Sequence, residues 1–245
     1  PDPSWPVYTM QVMAAGLKPV PYVMPADNGF EPKRENIEPL ITEHTKAIMV
    51  NTPSNPTGAV FSEETVKMIM DLAKKYDLYV LSDEIYDYLI YEGKHVSMKA
   101  MDTDERVILI SGASKKYAMT GWRIGYIIAP KPIASLINQV MVTTIGNATA
   151  VAQKAVEAAI TGPQDFVEES KRQYRDRRDS AAAIFDEEKV GFYYPHGAFY
   201  IMVDISCCDM DSEEFALKLL AEQQELIGKQ ILKEIRARVG FLAEV

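Results

Sequence analysis

The sequence predicts an α/β fold: a mostly parallel sheet with helices on both faces, plus a smaller α+β C-terminal domain. Three observations carry that prediction. Short apolar runs recur within Lys46–Val50, Leu78–Leu81 and Arg106–Ile110, with the length and continuity of strands buried on both faces. An amphipathic helical pattern lies between the first two. Polar residues able to do chemistry follow the C-terminal ends of these runs, the edge at which open α/β sheets bind ligands. No G-x-G-x-x-G follows the first strand, so a dinucleotide fold would lack its phosphate-binding signature.

Composition bounds the partners. The 245 residues suit one large or two small domains, and 47% apolar with 25% charged residues is ordinary for a soluble globular chain. A net charge of −9 argues against nucleic acid or an anionic membrane as partner. No apolar run approaches the roughly 18 residues that span a bilayer, and no signal-peptide pattern opens the sequence, so a cytoplasmic location is expected. Cys207 and Cys208 are adjacent and read as free thiols of a reducing compartment. The three histidines show no metal spacing, and no metal is expected.

The elements follow in order. Prolines 1, 3 and 6 forbid regular structure at the start; Val7–Ala15 then turns helical and Gly16 stops it. Lys18–Met24 reads as a short strand, and Asp27–Pro39 as a loop with a helical turn. Lys46–Val50 ends in the rigid turn Asn51–Gly58, NTPSNPTG, which can hold one amide side chain accurately. Ser62 caps a helix to about Tyr76, with Val66, Ile69, Met70 and Ala73 on one face. The strand Leu78–Leu81 leads into SDEIYDYLIY. There Asp83 stands just beyond the apolar body, and Tyr86 lies on the same side if the segment turns helically. Tyr88 and Tyr91 read as packing residues. After the Arg106–Ile110 strand, Ile124–Ala129 is another strand, and helices follow at Pro132–Val142, Ala148–Ile160 and Gln164–Glu187. The arginines 172, 175, 177 and 178 of the last read as a solvated face. Gly191–Asp204 is a turn and a strand with His196 as a structural residue, and Ser212–Ala221 is helical.

The chemistry concentrates at Ser111–Tyr126, SGASKKYAMTGWRIGY. Lys115 and Lys116 follow a buried strand, and Arg123 sits between Gly121 and Gly125, where backbone can approach a ligand and an arginine fork suits a phosphate. This stretch resembles the lysine motif of class I/II aminotransferases, pyridoxal-phosphate enzymes of fold type I, in their aspartate/aromatic/alanine branch. The resemblance implies that Lys115 bonds the cofactor covalently and is the catalytic residue. It implies that Arg123 and Ser114, with Ser111 more weakly, bind the cofactor phosphate. D-E-x-Y implies that Asp83 pairs with the pyridinium nitrogen and that Tyr86 donates to the phenolic oxygen. N-P-T-G implies that Asn55 bonds the same oxygen, and P-x-W-x-x-Y that Trp5 lies over the ring. P-x-G-A-F-Y is similar to His196-containing PHGAFY.

The function implied is transfer of an amino group between an L-amino acid and a 2-keto acid by a homodimer holding pyridoxal 5′-phosphate. A β-lyase, decarboxylase or synthase on the same fold, or a non-catalytic remnant, stays open. The resemblance divides the chain into a large cofactor domain, 1–165, and a small domain, 166–245. Two family segments are not matched: a phosphate cup expected before Pro1, and an R-[IL]-S strand expected after about Ala221. The pattern of Glu222–Val245, with Leu226, Ile227, Ile231, Ile235 and Val239 as a stripe, reads instead as a final amphipathic helix. Arg236 and Arg238 are not assigned the substrate-carboxylate role.

Overall fold

The computed structural model of the chain describes residues 1–223. The stripe expected over 222–245 therefore lies almost wholly outside the described residues. The elements are α1 (Val7–Ala14), α2 (Arg34–Ile37), β1 (Ala47–Asn51), α3 (Glu63–Lys75), β2 (Tyr79–Asp83), β3 (Val107–Gly112), α4 (Ala113–Lys116), β4 (Gly125–Ile128), α5 (Lys131–Thr144), α6 (Ala150–Thr161), α7 (Asp165–Glu187), β5 (Gly191–Tyr193) and β6 (Met202–Asp204). Residues 212–223 are helical.

The main sheet runs β1-β2-β3-β4, the first three parallel and β4 antiparallel to β3. Asn51 lies opposite Asp83, and Asp83 opposite Ile110. This register levels the C-terminal ends of β1 and β2, with β3 running two residues further, so the segments leaving them open onto one edge. β5 and β6 form a separate antiparallel pair.

The core sits where α3 covers β1 and β2. Val66, Ile69, Leu72 and Ala73 are buried against Ile48, Val50, Val80 and Val107. Burying each larger apolar side chain is worth ~1.5–3 kcal/mol. α3 starts where its sequence says: the Ser62 hydroxyl accepts from the Thr65 N–H at 3.2 Å, and Glu63 and Glu64 occupy the positive end of the helix dipole.

Four expectations are corrected. Residues 18–24 form no strand, only an isolated bridge from Asp2 to Val23, because Pro19 and Pro21 supply no N–H to a ladder. β3 continues through Ser111 and Gly112, which pair with Tyr126 and Gly125. A Cβ on Gly112 would sit 2.9 Å from the Gly125 Cα, so the close crossing of these strands requires glycine. Lys115 and Lys116 stand on the single helical turn of α4 rather than in an open loop. The arginine run of α7 is not all solvated. Arg178 is buried between the Tyr91 and Tyr194 rings, at 4.6 and 4.4 Å, and pairs with Glu92 and Asp179.

Candidate active site

The site is built on the level strand ends. Asp83 closes β2. Its neighbour Glu84 points the opposite way, as alternation along a strand requires. Glu84 is saturated there: one oxygen accepts from the Ser82 and Ser97 hydroxyls and the Met98 N–H, the other meets His95 at 2.9 Å. Asp83 is left facing the chain's first helix. Its Oδ2 accepts from the Tyr8 hydroxyl at 2.6 Å and its Oδ1 from the Ile85 N–H at 3.1 Å. Burial pushes the Asp83 carboxyl above the usual carboxylate range, while the Tyr8 bond and the positive charge of Lys115 work against that rise. Burial and the Asp83 charge together push the Tyr8 phenol up.

Asn55 is tied to Asp83 through Asn51. The Asn51 side chain donates to the Asp83 carbonyl at 3.1 Å and accepts from the Asn55 N–H at 2.7 Å. One buried amide thus fixes the spacing of two loops. The Asn51–Gly58 turn carries cis peptides at Thr52–Pro53 and Asn55–Pro56.

The two lysines of α4 part company. Lys115 acts electrostatically on Asp83 and lies 5.5 Å from the Phe199 ring centre, while its carbonyl accepts from the Tyr88 hydroxyl at 2.9 Å. Lys116 acts on Asp87 and lies over the Tyr117 ring. The cavity beside Lys116, lined by Asp87, Ser111, Tyr117 and Tyr126, holds about 100 Å³. That is well below the ~300 Å³ from which ligand pockets begin. The structure therefore puts Lys115, not Lys116, with the half-buried Asp83 carboxyl.

Tyr86 is buried and its hydroxyl lies 2.7 Å from that of Tyr200. Trp5 is half-exposed and meets Tyr8 edge to face, with ring centres 5.3 Å apart. Ser114 is half-buried on α4 beside Lys115, whereas Ser111 is buried and turned toward the Glu84 carbonyl. Arg123 is exposed, has a left-handed backbone at φ 51°, and its guanidinium closes on the Thr120 carbonyl at 2.9 Å. Among the described residues no contact ties Arg123 to the Asp83 group. Trp5, Asn55, Asp83, Tyr86 and Lys115 do converge, directly or through Tyr8, Asn51 and Phe199.

The chain matches the family of class I and II aminotransferases over residues 1–234. It belongs to that family. The aspartate/prephenate aminotransferase of Thermus thermophilus is 37% identical over 222 residues, covering 89% of this chain and 57% of the relative. The aspartate aminotransferase of Bacillus subtilis is 35% identical over 236 residues, covering 93% and 60%. Among solved structures, the Thermus thermophilus aspartate aminotransferase with maleate superposes with a TM-score of 0.87 at 36% identity, covering 90% of this chain and 58% of that one. The aromatic aminotransferase of Pyrococcus horikoshii gives 0.87 at 32% identity, covering 90% and 60%. The chain thus spans under two thirds of the length of these aminotransferases.

Sequence reasoning missed Tyr8, Asn51, Tyr88 and Tyr200. Tyr8 had a signal, since it follows Trp5 by three positions and so shares its side of a helical turn. Asn51 had another, as a polar residue closing a buried strand. Tyr88 was assigned to packing, yet its hydroxyl holds the Lys115 carbonyl. Nothing local marks the pairing of Tyr200 with Tyr86, which are 114 positions apart.

Proposed function

We propose that this chain forms the cofactor-holding part of a pyridoxal-phosphate aminotransferase. It would move an amino group between an L-amino acid of aspartate, aromatic or alanine type and a 2-keto acid. The observation that carries the reading is the partly buried Asp83 carboxyl, held by Tyr8 and within electrostatic reach of Lys115. The relatives, which are aspartate, aspartate/prephenate and aromatic aminotransferases, support the substrate class.

The donor set fits the cofactor. A buried carboxylate suits a cationic ring nitrogen, a phenol and an amide suit a phenolic oxygen, an amine suits an aldehyde, and an arginine suits a phosphate. Bound pyridoxal phosphate supplies an electron sink that stabilises negative charge at the substrate α-carbon. Asp83 holds the proton on the ring nitrogen, and Tyr8 keeps Asp83 aimed and ionised. Asn55 and Tyr86 orient the phenolic oxygen. Trp5 covers one ring face, and Arg123 with Ser114 binds the phosphate. Lys115 would hold the aldehyde carbon at rest, and its amine, freed when the substrate amine takes its place there, would accept the proton from the substrate Cα. We read 1–165 as the cofactor domain and 166–245 as a smaller one, within a homodimer located in the cytoplasm.

The test is the absorption spectrum after adding pyridoxal phosphate, with Lys115→Ala alongside. A visible band in the wild type alone, bleached by aspartate or an aromatic amino acid and restored by a 2-keto acid, is the expected result. Identical spectra for both proteins, matching free cofactor, would overturn the reading. Release of ammonia and pyruvate would point to a lyase instead.

A further inference from the structure

We infer that Tyr200 is a positioning residue for Tyr86: its hydroxyl donates to the Tyr86 oxygen and turns the Tyr86 hydrogen outward, toward the cofactor's phenolic oxygen. The inference rests on the role proposed above for Tyr86 and deepens it.

The two hydroxyls are 2.7 Å apart, a full hydrogen bond that either could donate. Only one hydrogen fits between them. If Tyr86 gave it, the Tyr86 oxygen would face the site with lone pairs alone and could not serve an anionic oxygen. If Tyr200 gives it, the Tyr86 hydrogen is free for the site, and accepting a bond makes Tyr86 the stronger donor. The neighbouring groups do not compete for that hydrogen. Both Asp83 oxygens already accept, from Tyr8 and from Ile85. Tyr88 is spent on the Lys115 carbonyl. Tyr8, Asp83, Tyr88 and Lys115 are the charged or titratable groups gathered around the pair from the other elements.

Tyr200 is held well enough to do this. Residues 196–198 strap onto the strand-end loops: His196 and Gly197 N–H groups donate to the Gly58 carbonyl, and Ala198 N–H to the Leu89 carbonyl at 2.9 Å. The buried Tyr91 hydroxyl holds the Ala198 carbonyl at 2.6 Å. A Cβ on Gly197 would lie 2.8 Å from both the Leu89 oxygen and a Val60 methyl, so the strap admits no larger residue there without a shift. The next ring, Phe199, meets Tyr86 edge to face at 5.2 Å and stacks on Tyr174 at 5.5 Å. The Tyr200 hydroxyl therefore arrives at a set position from 114 residues away.

Two readouts test this, comparing wild type with Tyr200→Phe, Tyr86→Phe and the double variant. The first needs no cofactor. With tyrosine labelled at Cζ with carbon-13, Tyr200→Phe should shift the Tyr86 resonance and leave that of Tyr8 in place. The second is the pH midpoint of the Lys115-dependent visible band with pyridoxal phosphate bound. Tyr86→Phe should raise it by about 1–2 pH units, the size of a hydrogen bond to a charged oxygen. Tyr200→Phe should raise it by about 0.3 unit, the size of a cooperative strengthening of that bond. In the double variant the midpoint should equal that of Tyr86→Phe. An unmoved midpoint in Tyr200→Phe, or an equal shift with the Tyr86 hydroxyl already gone, would overturn the inference while leaving the aminotransferase reading intact. A band unaffected by Lys115→Ala would sink that reading and this one with it.

Discussion

Tyr8 and Asp83 show how one hydroxyl decides the state of a buried acid. Burial raises the Asp83 pKa, so the folded chain holds that proton more tightly than the unfolded one. The stability linked to Asp83 is then full below the ordinary carboxylate range, near about 3.9, and is lost as pH rises through the raised value. Tyr8 limits that loss by donating to the ionised form at 2.6 Å. Tyr8→Phe should therefore cost more at neutral pH than in acid: about 1.5–3 kcal/mol where Asp83 is charged, nearer about 1 kcal/mol where it is not. Urea unfolding at pH 4 and pH 7 reads the difference, and an equal cost at both would show that the bond does not discriminate between the charged and neutral acid. The same scale shows what the sequence could and could not say about the lysines. The family resemblance of the motif implies Lys115, and the fold adds a difference the sequence does not carry: Lys115 acts on Asp83 and Lys116 on Asp87.

At the scale of elements, what was legible depended on whether the signal was local. α3 was readable because its cap, its acidic first turn and its apolar stripe all lie within its own residues. The strand expected over 18–24 does not form because Pro19 and Pro21 remove two ladder donors from an otherwise apolar run. Arg178 misled because its charge run looks solvated, while the rings and acids that bury it come from Tyr91, Glu92 and Tyr194, far off in sequence or beyond the helix. Long-range straps are invisible in the same way, yet they set the site. Asn51→Ala removes both the donor to Asp83 and the acceptor for Asn55. It should cost about 2–4 kcal/mol by denaturant midpoint, two buried hydrogen bonds with their partners left unsatisfied. Gly197→Ala forces a Cβ into the Leu89 carbonyl and should cost about 1–3 kcal/mol. If either variant unfolds at the wild-type midpoint, the loops are not held by these contacts.

For the molecule as a whole, the predicted α/β fold with a mostly parallel sheet is the one observed, and its antiparallel edge strand β4 is exposed. Tyr126, Ile127 and Ile128 are all exposed, although a strand normally hides at least one face. On α5, Leu136 and Val140 are exposed as well, as is Ile145 just after it. Among the described residues β4 pairs only with β3, so its other edge presents free N–H and C=O groups beside the exposed side chains of β4 itself. A free edge next to an apolar face is a template for pairing with another chain. This chain studied by itself should therefore self-associate as its concentration rises, despite the net charge of −9 that opposes it. Sedimentation velocity over a concentration series reads this directly. Ile127→Lys combined with Leu136→Lys should shift the population toward monomer, since a charge on each element must be desolvated for the faces to meet. A monomer at every concentration, or a double variant that associates as the wild type does, would mean that β4 and α5 do not form the contact.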